Sequence, residues 1–201
     1  SLWAQGRVNS TFSRYSRVRS MTGMTGAEAA RRLLNAQGIY DVTVQQIAGE
    51  LTDHYDPRTK TVNLSQSVYG ATSVAAIGVA AHECGHAMQD NEGYAPLRFR
   101  SALVPVANFG SSLSWPLILL GLVFGGLGSP LVEIGILMFS LAVLFQLVTL
   151  PVEYNASARA VRLLDAQGIL AGEEVNGTRK VLNAAALTYV AAAATSILQL
   201  L

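Results

Sequence analysis

The chain has 201 residues, a single cysteine and a net charge of +1; 51% of its residues are hydrophobic and 13% are charged. Soluble domains carry roughly 25% charged residues, so this composition argues against a purely soluble protein and indicates a membrane protein. The single cysteine excludes an internal disulfide.

The amino-terminal segment RVNSTFSRYSRVRS, residues 7–20, is basic and carries interleaved aromatic residues. Such a segment can be a nucleic-acid arm or a helix that lies on anionic lipid headgroups. Because apolar spans follow later in the chain, we favour the membrane-surface helix and expect no nucleic-acid partner.

Residues 1–100 have the composition of a globular domain, and their patterns predict an α+β core. Thr25 and Glu28 have capping-box spacing and Gly38 ends the pattern, which predicts a helix over 26–37. Strand patterns follow at IYDVTVQQI, ELTDHY and TVNLS, and a turn at DPRT joins the last two.

The next stretch, AAHECGHAMQD, contains two of the three histidines, four positions apart. On an α-helix His82 and His86 share one face, so both can bind one ion. Catalytic zinc has three protein ligands and an open position for water, and Glu83 is placed beside the pair to take a proton from that water. This is the H-E-x-x-H arrangement of zinc hydrolases.

The alternative is a chance pair of histidines on a half-buried helix. The preceding SVAAIGVAA is uncharged and carries the histidines into the protein, where an imidazole needs a partner. Cys84 faces away from the pair, and we interpret it as a packing residue. The strand pair before this helix could bind an extended peptide by main-chain pairing, or it could be purely structural.

Three uncharged runs, 101–132, 134–152 and 181–201, are each near or beyond the ~20 residues that span a bilayer. They predict transmembrane helices at about 102–124, 131–150 and 181–201. Basic residues flank the spans on one side, which places the soluble parts in the cytoplasm and the 125–132 turn outside, by the positive-inside rule; they are Arg98, Arg100, Arg159, Arg162, Arg179 and Lys180. No secretory signal is visible, and we expect an integral protein of the cell (inner) membrane.

The third metal ligand has several candidates. Asp90 lies eight residues beyond His82, ~12 Å along a helix, too far to share its ion. Glu133 would lie across ~30 Å of hydrocarbon. The segment LPVEYNASARAVRLLDAQG predicts a cytoplasmic helix with Pro151 near its first turn, and two spans return Glu153 to the side of the metal helix. Weaker candidates remain in Asp165, Glu173 and Glu174.

These patterns divide the chain into four parts. Residues 1–100 form the metallopeptidase core, 101–150 a transmembrane hairpin, 151–180 a cytoplasmic helix with the third ligand, and 181–201 the third transmembrane helix.

Long stretches of the chain resemble the YugP family of membrane zinc metallopeptidases and, more distantly, the HtpX-type membrane proteases; they are LTDHYDPRTKTVNLS, AAIGVAAHECGHAMQ, GYAPLRFRSALVPVANFGSSLSW, LFQLVTLPVEYNASARA and KVLNAAALTYVAAAATSILQLL. The resemblance covers nearly the whole chain. It implies Zn²⁺ as cofactor, Glu153 as the third ligand, and a further hydrophobic helix ahead of residue 1. Asn155 departs from the aspartate that often stands at this position.

The sequence therefore predicts a zinc endopeptidase that acts on membrane or membrane-proximal polypeptides, with Glu83 as general base. His54, Tyr154 and Arg159 are candidates for stabilising the oxyanion, and we select His54 as the catalytic one. One alternative is a non-catalytic zinc-binding subunit that packs with other membrane proteins. Another is an intramembrane protease whose H-E-x-x-H helix spans the bilayer, which the polar residues of the window 61–82 disfavour.

Overall fold

The computed structural model describes all 201 residues and combines seven helices with one small sheet. The predicted α+β class is confirmed. In chain order the elements are α1 Leu2–Ser16, α2 Gly26–Ala36, β1 Thr43–Ile47, β2 His54–Asp56, β3 Thr61–Ser65, α3 Gln66–Tyr69, α4 Val74–Glu92, α5 Ala95–Gly125, α6 Pro130–Ala166 and α7 Glu173–Leu200.

The chain divides into two compact units. The first, which we call the α+β unit, comprises Ser1–Tyr94 and Glu153–Thr188. Its apolar core surrounds α4 and draws on α2, the sheet and the ends of α6 and α7 nearest Gly168. The second, the apolar unit, comprises Ala95–Val152 and Tyr189–Leu201.

The helix expected over 26–37 is α2, which ends one residue earlier, at Ala36. Its capping box is complete: the Glu28 N–H donates to Thr25 Oγ1, and the Thr25 N–H donates to the Glu28 carboxylate. Two otherwise unpaired N–H groups are thereby satisfied, which fixes the start of the helix.

The sheet has the strand order β1-β3-β2, with β1 parallel and β2 antiparallel to the central, fully buried β3. All three predicted strands are present, although β1 and β2 are shorter than their patterns. The edge strand β2 is tied to α4, because the Tyr55 hydroxyl donates to Asp90 Oδ2 at 2.6 Å. The sheet therefore lies directly against the helix that carries the histidines.

Three helices, α5, α6 and α7, are long and apolar enough to cross a membrane, as the sequence predicts. The H-E-x-x-H helix α4 is not among them.

Two predicted boundaries are wrong. Residues 151–180 do not form a separate helix: α6 continues through Pro151 to Ala166, and α7 begins at Glu173 rather than at 181. Proline removes one helical hydrogen bond, but membrane helices tolerate it, and α5 also contains Pro105 and Pro116. The change from apolar to polar surroundings does not require the helix to end, because the backbone hydrogen bonds are the same in both halves and only the side chains differ.

Candidate metal centre

Helix α4 presents His82 and His86 one turn apart. The helix begins where Ser73 Oγ accepts the Ala76 N–H at 3.1 Å, and it ends at Gly93, whose φ of 69° is the left-handed conformation that glycine adopts at little cost. The two imidazole rings meet edge to face with centroids 4.8 Å apart. Both rings are turned towards the neighbouring helix α6, which carries Glu153.

Glycine at position 85 lets α6 come close enough to complete the site. A Cβ built on Gly85 would lie 2.5 Å from the carbonyl oxygen of Ala156, which is backbone and cannot yield easily. Ala156 follows Glu153 by three residues, so this contact sets how deeply the first polar turn of α6 approaches α4. A second close approach occurs two turns earlier, where a Cβ on Gly78 would lie 2.9 Å from Thr178 Cγ2 of α7.

The side chains of His82, His86 and Glu153 converge, and we call these three the metal group. One Glu153 oxygen lies 2.8 Å from His82 Nε2, and the other lies 3.3 Å from His86 Nε2. The potential ligand atoms all lie within 4.8 Å of one another. His86 and Glu153 are buried and His82 is nearly so, which means that the group is held by the protein interior rather than by chance at a surface.

The far nitrogen of each imidazole is also engaged. His82 Nδ1 lies 2.9 Å from Ser157 Oγ, and His86 Nδ1 lies 3.0 Å from Gln89 Oε1. Metal-binding histidines almost always donate their second N–H to such an acceptor, which fixes the tautomer and the ring orientation. Here both Nδ1 atoms have partners, and both Nε2 atoms are turned towards Glu153.

For His86 the direction of the hydrogen bonds can be traced back to an arginine. Arg159 has no acceptor atom, so its Nε must donate to Asn155 Oδ1, at 2.7 Å. The same Oδ1 accepts from Gln89 Nε2 at 3.0 Å, which turns the Gln89 oxygen towards His86. Arg159 is itself anchored by Glu92, at 2.8 Å, and by the ring of Tyr94. The chain of donors therefore ends in a protonated Nδ1 on His86, whose Nε2 lies 3.3 Å from the Glu153 carboxylate.

This donor set fits zinc. Two imidazoles and one glutamate are the protein ligands of a large class of catalytic zinc sites, and they leave a coordination position for water. The three ligand atoms lie within 4.8 Å of one another on two buried residues and one nearly buried residue, and the Nδ1 of each imidazole has a hydrogen-bond partner on the far side of the ring. The predicted metal group of His82, His86 and Glu153 is therefore brought together by the fold.

The neighbours of the histidines on α4 have different surroundings. Glu83 is buried, as expected of a carboxylate that acts inside a closed site. Cys84 points to the opposite side, where its thiol donates to the Ala30 carbonyl at 3.6 Å and burial raises its pKa. The interpretation of Cys84 as a packing residue is confirmed, because it faces α2 and is not a member of the metal group.

His54 lies on the edge strand β2, is exposed, and is not a member of the metal group. Its Nδ1 lies 2.9 Å from the Thr52 carbonyl oxygen and its Nε2 lies 3.3 Å from Asn63 Nδ2. Both ring nitrogens thus have partners, and stabilisation of an oxyanion would require one of them to be exchanged. Of the other two oxyanion candidates, Tyr154 is exposed and Arg159 is engaged by Asn155 and Glu92.

None of the other carboxylates considered as ligands joins the metal group. Asp90 accepts from Tyr55, Glu174 accepts the Met21 N–H at 2.9 Å, and Glu173 lies 3.5 Å from the Asn176 amide. Asp165 is exposed, and Glu133 lies in the first turn of α6, in the apolar unit.

Sequence reasoning did not identify the residues that orient the ligands. Gln89 and Ser157 are ordinary polar residues in sequence, and nothing in their spacing marks them as partners of the histidines. Gly85 did leave a signal, since a glycine inside a helix costs ~1 kcal/mol relative to alanine and therefore suggests a close approach.

All of residues 1–201 match the family model described as "Putative neutral zinc metallopeptidase". The chain belongs to this family. It is also 51% identical over its whole length to "Putative membrane protease YugP" of Bacillus subtilis (strain 168), and the match covers 88% of that protein. No solved structure matches the chain. The resemblance noted in the sequence is therefore confirmed, and the metal group could hold the zinc ion that such a family uses.

Proposed function

We propose that this protein is a zinc-dependent endopeptidase that cleaves membrane or membrane-proximal polypeptides on the cytoplasmic face of the cell membrane. Family membership supports a membrane zinc peptidase. The observation that carries the proposal is the convergence of His82 Nε2, His86 Nε2 and the Glu153 carboxylate, with both imidazoles oriented from behind.

In this proposal His82, His86 and Glu153 hold the ion. When bound, zinc supplies Lewis acidity, which lowers the pKa of a water molecule towards neutrality and polarises the scissile carbonyl. Ser157 and the Arg159–Asn155–Gln89 chain keep the two imidazoles in the tautomer that can bind a cation.

Glu83 acts as the general base and then as the general acid. Its carboxylate accepts a proton from the attacking water and later delivers that proton to the leaving amine. Glu83 follows His82 directly on α4 and is buried beside the metal group, so it can act there without competing as a ligand.

The test is Glu83→Gln, which keeps the size of the side chain and removes its basicity. We expect stoichiometric zinc by metal analysis, and cleavage of an unfolded test protein reduced by a factor on the order of 10²–10⁴. Cleavage at the wild-type rate would contradict the proposed chemistry. Zinc retained by a wild-type protein that cleaves no polypeptide would favour the non-catalytic subunit instead.

The substrate could be recognised through its main chain by β2. This strand is at the edge of the sheet, is anchored to α4 by Tyr55, and has one neighbour, β3. An added strand hydrogen-bonds through alternate residues, so N-methylation along a cleavable peptide should raise KM at every second position. A uniform effect along the peptide would count against strand pairing.

His54 stays a prediction as a catalytic group. Its position on β2 supports a role beside a bound peptide, and its present partners are Thr52 and Asn63. If it stabilises the oxyanion, His54→Ala lowers kcat with little change in KM. An increase in KM alone would assign it to substrate binding.

The orientation is supported by the cationic residues near the spans and by the uncharged loop between α5 and α6. Cys84, the only cysteine of the chain, is buried, so labelling of a single introduced cysteine can be measured without a contribution from Cys84. Gln66→Cys and Gly128→Cys are matched, because both positions are exposed and a Cβ on Gly128 meets no atom within 4 Å. An impermeant thiol reagent should label only Gly128→Cys in intact cells, and the reverse pattern would invert the topology.

A further inference from the structure

A cavity of about 820 Å³ lies in the α+β unit between α1, the first half of α7 and Tyr154 of α6. It falls within the range of ~300–1,000 Å³ typical of small-molecule sites. We call it the basic pocket, because Arg7 and Arg14 of α1 and Lys180 of α7 line it.

The charge of this pocket is not neutralised from within the protein. No aspartate or glutamate lines it, and Arg7, Arg14 and Lys180 form no ion pair with a carboxylate. All three cationic residues are exposed and line one pocket, so an anion bound there would be attracted to each of them. Hydroxyl and amide groups, including those of Tyr154 and Asn183, add further hydrogen-bonding partners.

The pocket is built by specific packing of α1 against α7. A Cβ on Gly177 would lie 2.7 Å from the edge of the Tyr15 ring, so glycine lets α1 approach α7 closely just beside the pocket. Arg14 stacks over the same ring at 5.6 Å. The two cationic walls are therefore held at a defined separation.

The polarity of the pocket changes along α7. Lys180 is the last charged residue of the chain, and Leu187, about 10 Å further along the helix axis, lines the other end of the pocket. The apolar run of α7 begins in between. On α1, Trp3 is 65% exposed and lies under Arg7 at 5.7 Å, the pairing of an aromatic and a cation that is typical of a membrane interface. One end of the pocket suits an anion and the other suits hydrocarbon.

From these features we infer that the basic pocket binds the phosphate of an anionic phospholipid, with the first part of an acyl chain along Leu187. Arg7, Arg14 and Lys180 contact the phosphate, and Tyr154 and Asn183 donate hydrogen bonds to the headgroup. Free phosphate shares the ionic contacts but not the apolar end. An acidic peptide is less well matched, since it would leave the Leu187 end unfilled.

The test uses the full chain in dodecyl maltoside micelles and native mass spectrometry, with phosphatidylglycerol titrated into the micelles. We expect one tightly bound phosphatidylglycerol and no bound phosphatidylcholine. In Arg7→Gln/Lys180→Gln the affinity should fall roughly 30-fold, because each cation contributes about a factor of five to binding an anionic headgroup.

Arg58→Gln/Lys60→Gln is the matched control, since it removes the same charge from exposed residues of the β2–β3 turn. It should change the affinity less than twofold. Equal losses of phosphatidylglycerol affinity in both double variants would overturn the assignment of the lipid to this pocket, because they would show that only the overall positive charge attracts it. Displacement of the lipid by millimolar inorganic phosphate or by an acidic peptide would overturn the lipid as the occupant.

A second pair of variants does not depend on removing any cation. Asn183→Glu places a carboxylate in the pocket from an exposed position, whereas Asn183→Gln keeps the amide. Both should fold, as judged by unchanged zinc content and thermal unfolding. Asn183→Glu should lose phosphatidylglycerol and Asn183→Gln should retain it; retention by both would refute the proposal.

Discussion

Helix α6 is continuous, but its two halves carry different kinds of side chain and lie in different surroundings. The first half exposes large apolar side chains such as Ile134 and Leu137. The second half carries Glu153, Asn155, Ser157 and Arg159, all engaged with α4 or with each other. Its buried stripe consists of residues four apart, Val152, Ala156, Ala160 and Leu164.

The two halves differ in how strongly their surroundings constrain the identity of each side chain. Lipid contacts any apolar side chain equally, so the exposed apolar positions of the first half are largely interchangeable. In the second half Glu153, Asn155, Ser157 and Arg159 meet defined partners, and loss of a partner leaves a polar atom unsatisfied in a partly buried place. Close helix crossings occur in both halves and do not by themselves make a site.

The largest expected effect is on zinc binding, and it should distinguish the two glutamates of α6, Glu153 and Glu133. Glu153→Ala removes one of three ligands, and two imidazoles should hold zinc much more weakly, so we expect loss of most of the zinc and of all peptidase activity while the protein still inserts. Metal analysis and proteolysis of a test protein measure both. Glu133→Ala, in the first turn of the same helix, is the control and should keep both. Stoichiometric zinc in Glu153→Ala would transfer the ligand role to Asp165, Glu173 or Glu174.

The next-largest effect should distinguish two glycines, Gly85 and Gly135, at which a neighbouring helix approaches closely. Gly85→Ala pushes against the Ala156 carbonyl, and Gly135→Ala pushes against Ile118 and the Ser114 carbonyl in the apolar unit. Each should lower stability by ~1–3 kcal/mol through overpacking. Only Gly85→Ala moves Glu153 relative to the histidines, so it alone should reduce activity further, on the order of 100-fold for a displacement of ~1 Å. Equal activity per folded molecule in both variants would show that the crossing at Gly85 does not set the ligand geometry.

The sequence was sufficient for the features that are local or periodic. The H-E-x-x-H spacing identified His82 and His86, the capping box identified the start of α2, and uncharged length identified the three spans. Glu153 followed from counting spans, because an even number returns the chain to the same side. That argument survived an incorrect break at Pro151, since it needed only the position of Glu153 at the end of the apolar run.

What the sequence did not reveal depends on contacts between distant segments. Gln89 orients His86 only because Asn155 and Arg159 of α6 lie beside it. Ser157 has no periodic or motif signature, and its role appears only when His82 lies 2.9 Å away. Such pairings follow from the crossing of α4 and α6, which no single window of sequence encodes.

A smaller effect concerns the origin of the hydrogen-bond chain. Arg159→Leu removes the donor that fixes the Asn155 amide, so Asn155 no longer dictates the amide orientation that holds the His86 tautomer, and we expect zinc affinity to fall ~10–100-fold. Competition with a chelator measures this without reference to activity. Arg162→Leu is the control, because Arg162 is exposed and three residues further along the same helix. If Arg159 is merely structural, zinc affinity should follow thermal stability in Arg159→Leu and Arg159→Lys alike; a loss of zinc affinity in Arg159→Leu without loss of stability, reversed by the donor in Arg159→Lys, would support a positioning role through the Asn155 contact.

The smallest effect belongs to the lipid-facing half. Leu137 is 61% exposed, and trimming it to alanine removes side-chain contacts that lipid replaces equally well, so the change in the free energy of unfolding should stay within about 0.5 kcal/mol. Zinc content and activity should be unchanged within error. Ala160→Leu, in the buried stripe of the second half, makes the opposite change in volume and should destabilise by ~1–3 kcal/mol. If Leu137→Ala proved as damaging as Ala160→Leu, the exposed face of the first half would have to pack against protein rather than lipid, and the contrast between the halves of α6 would fail.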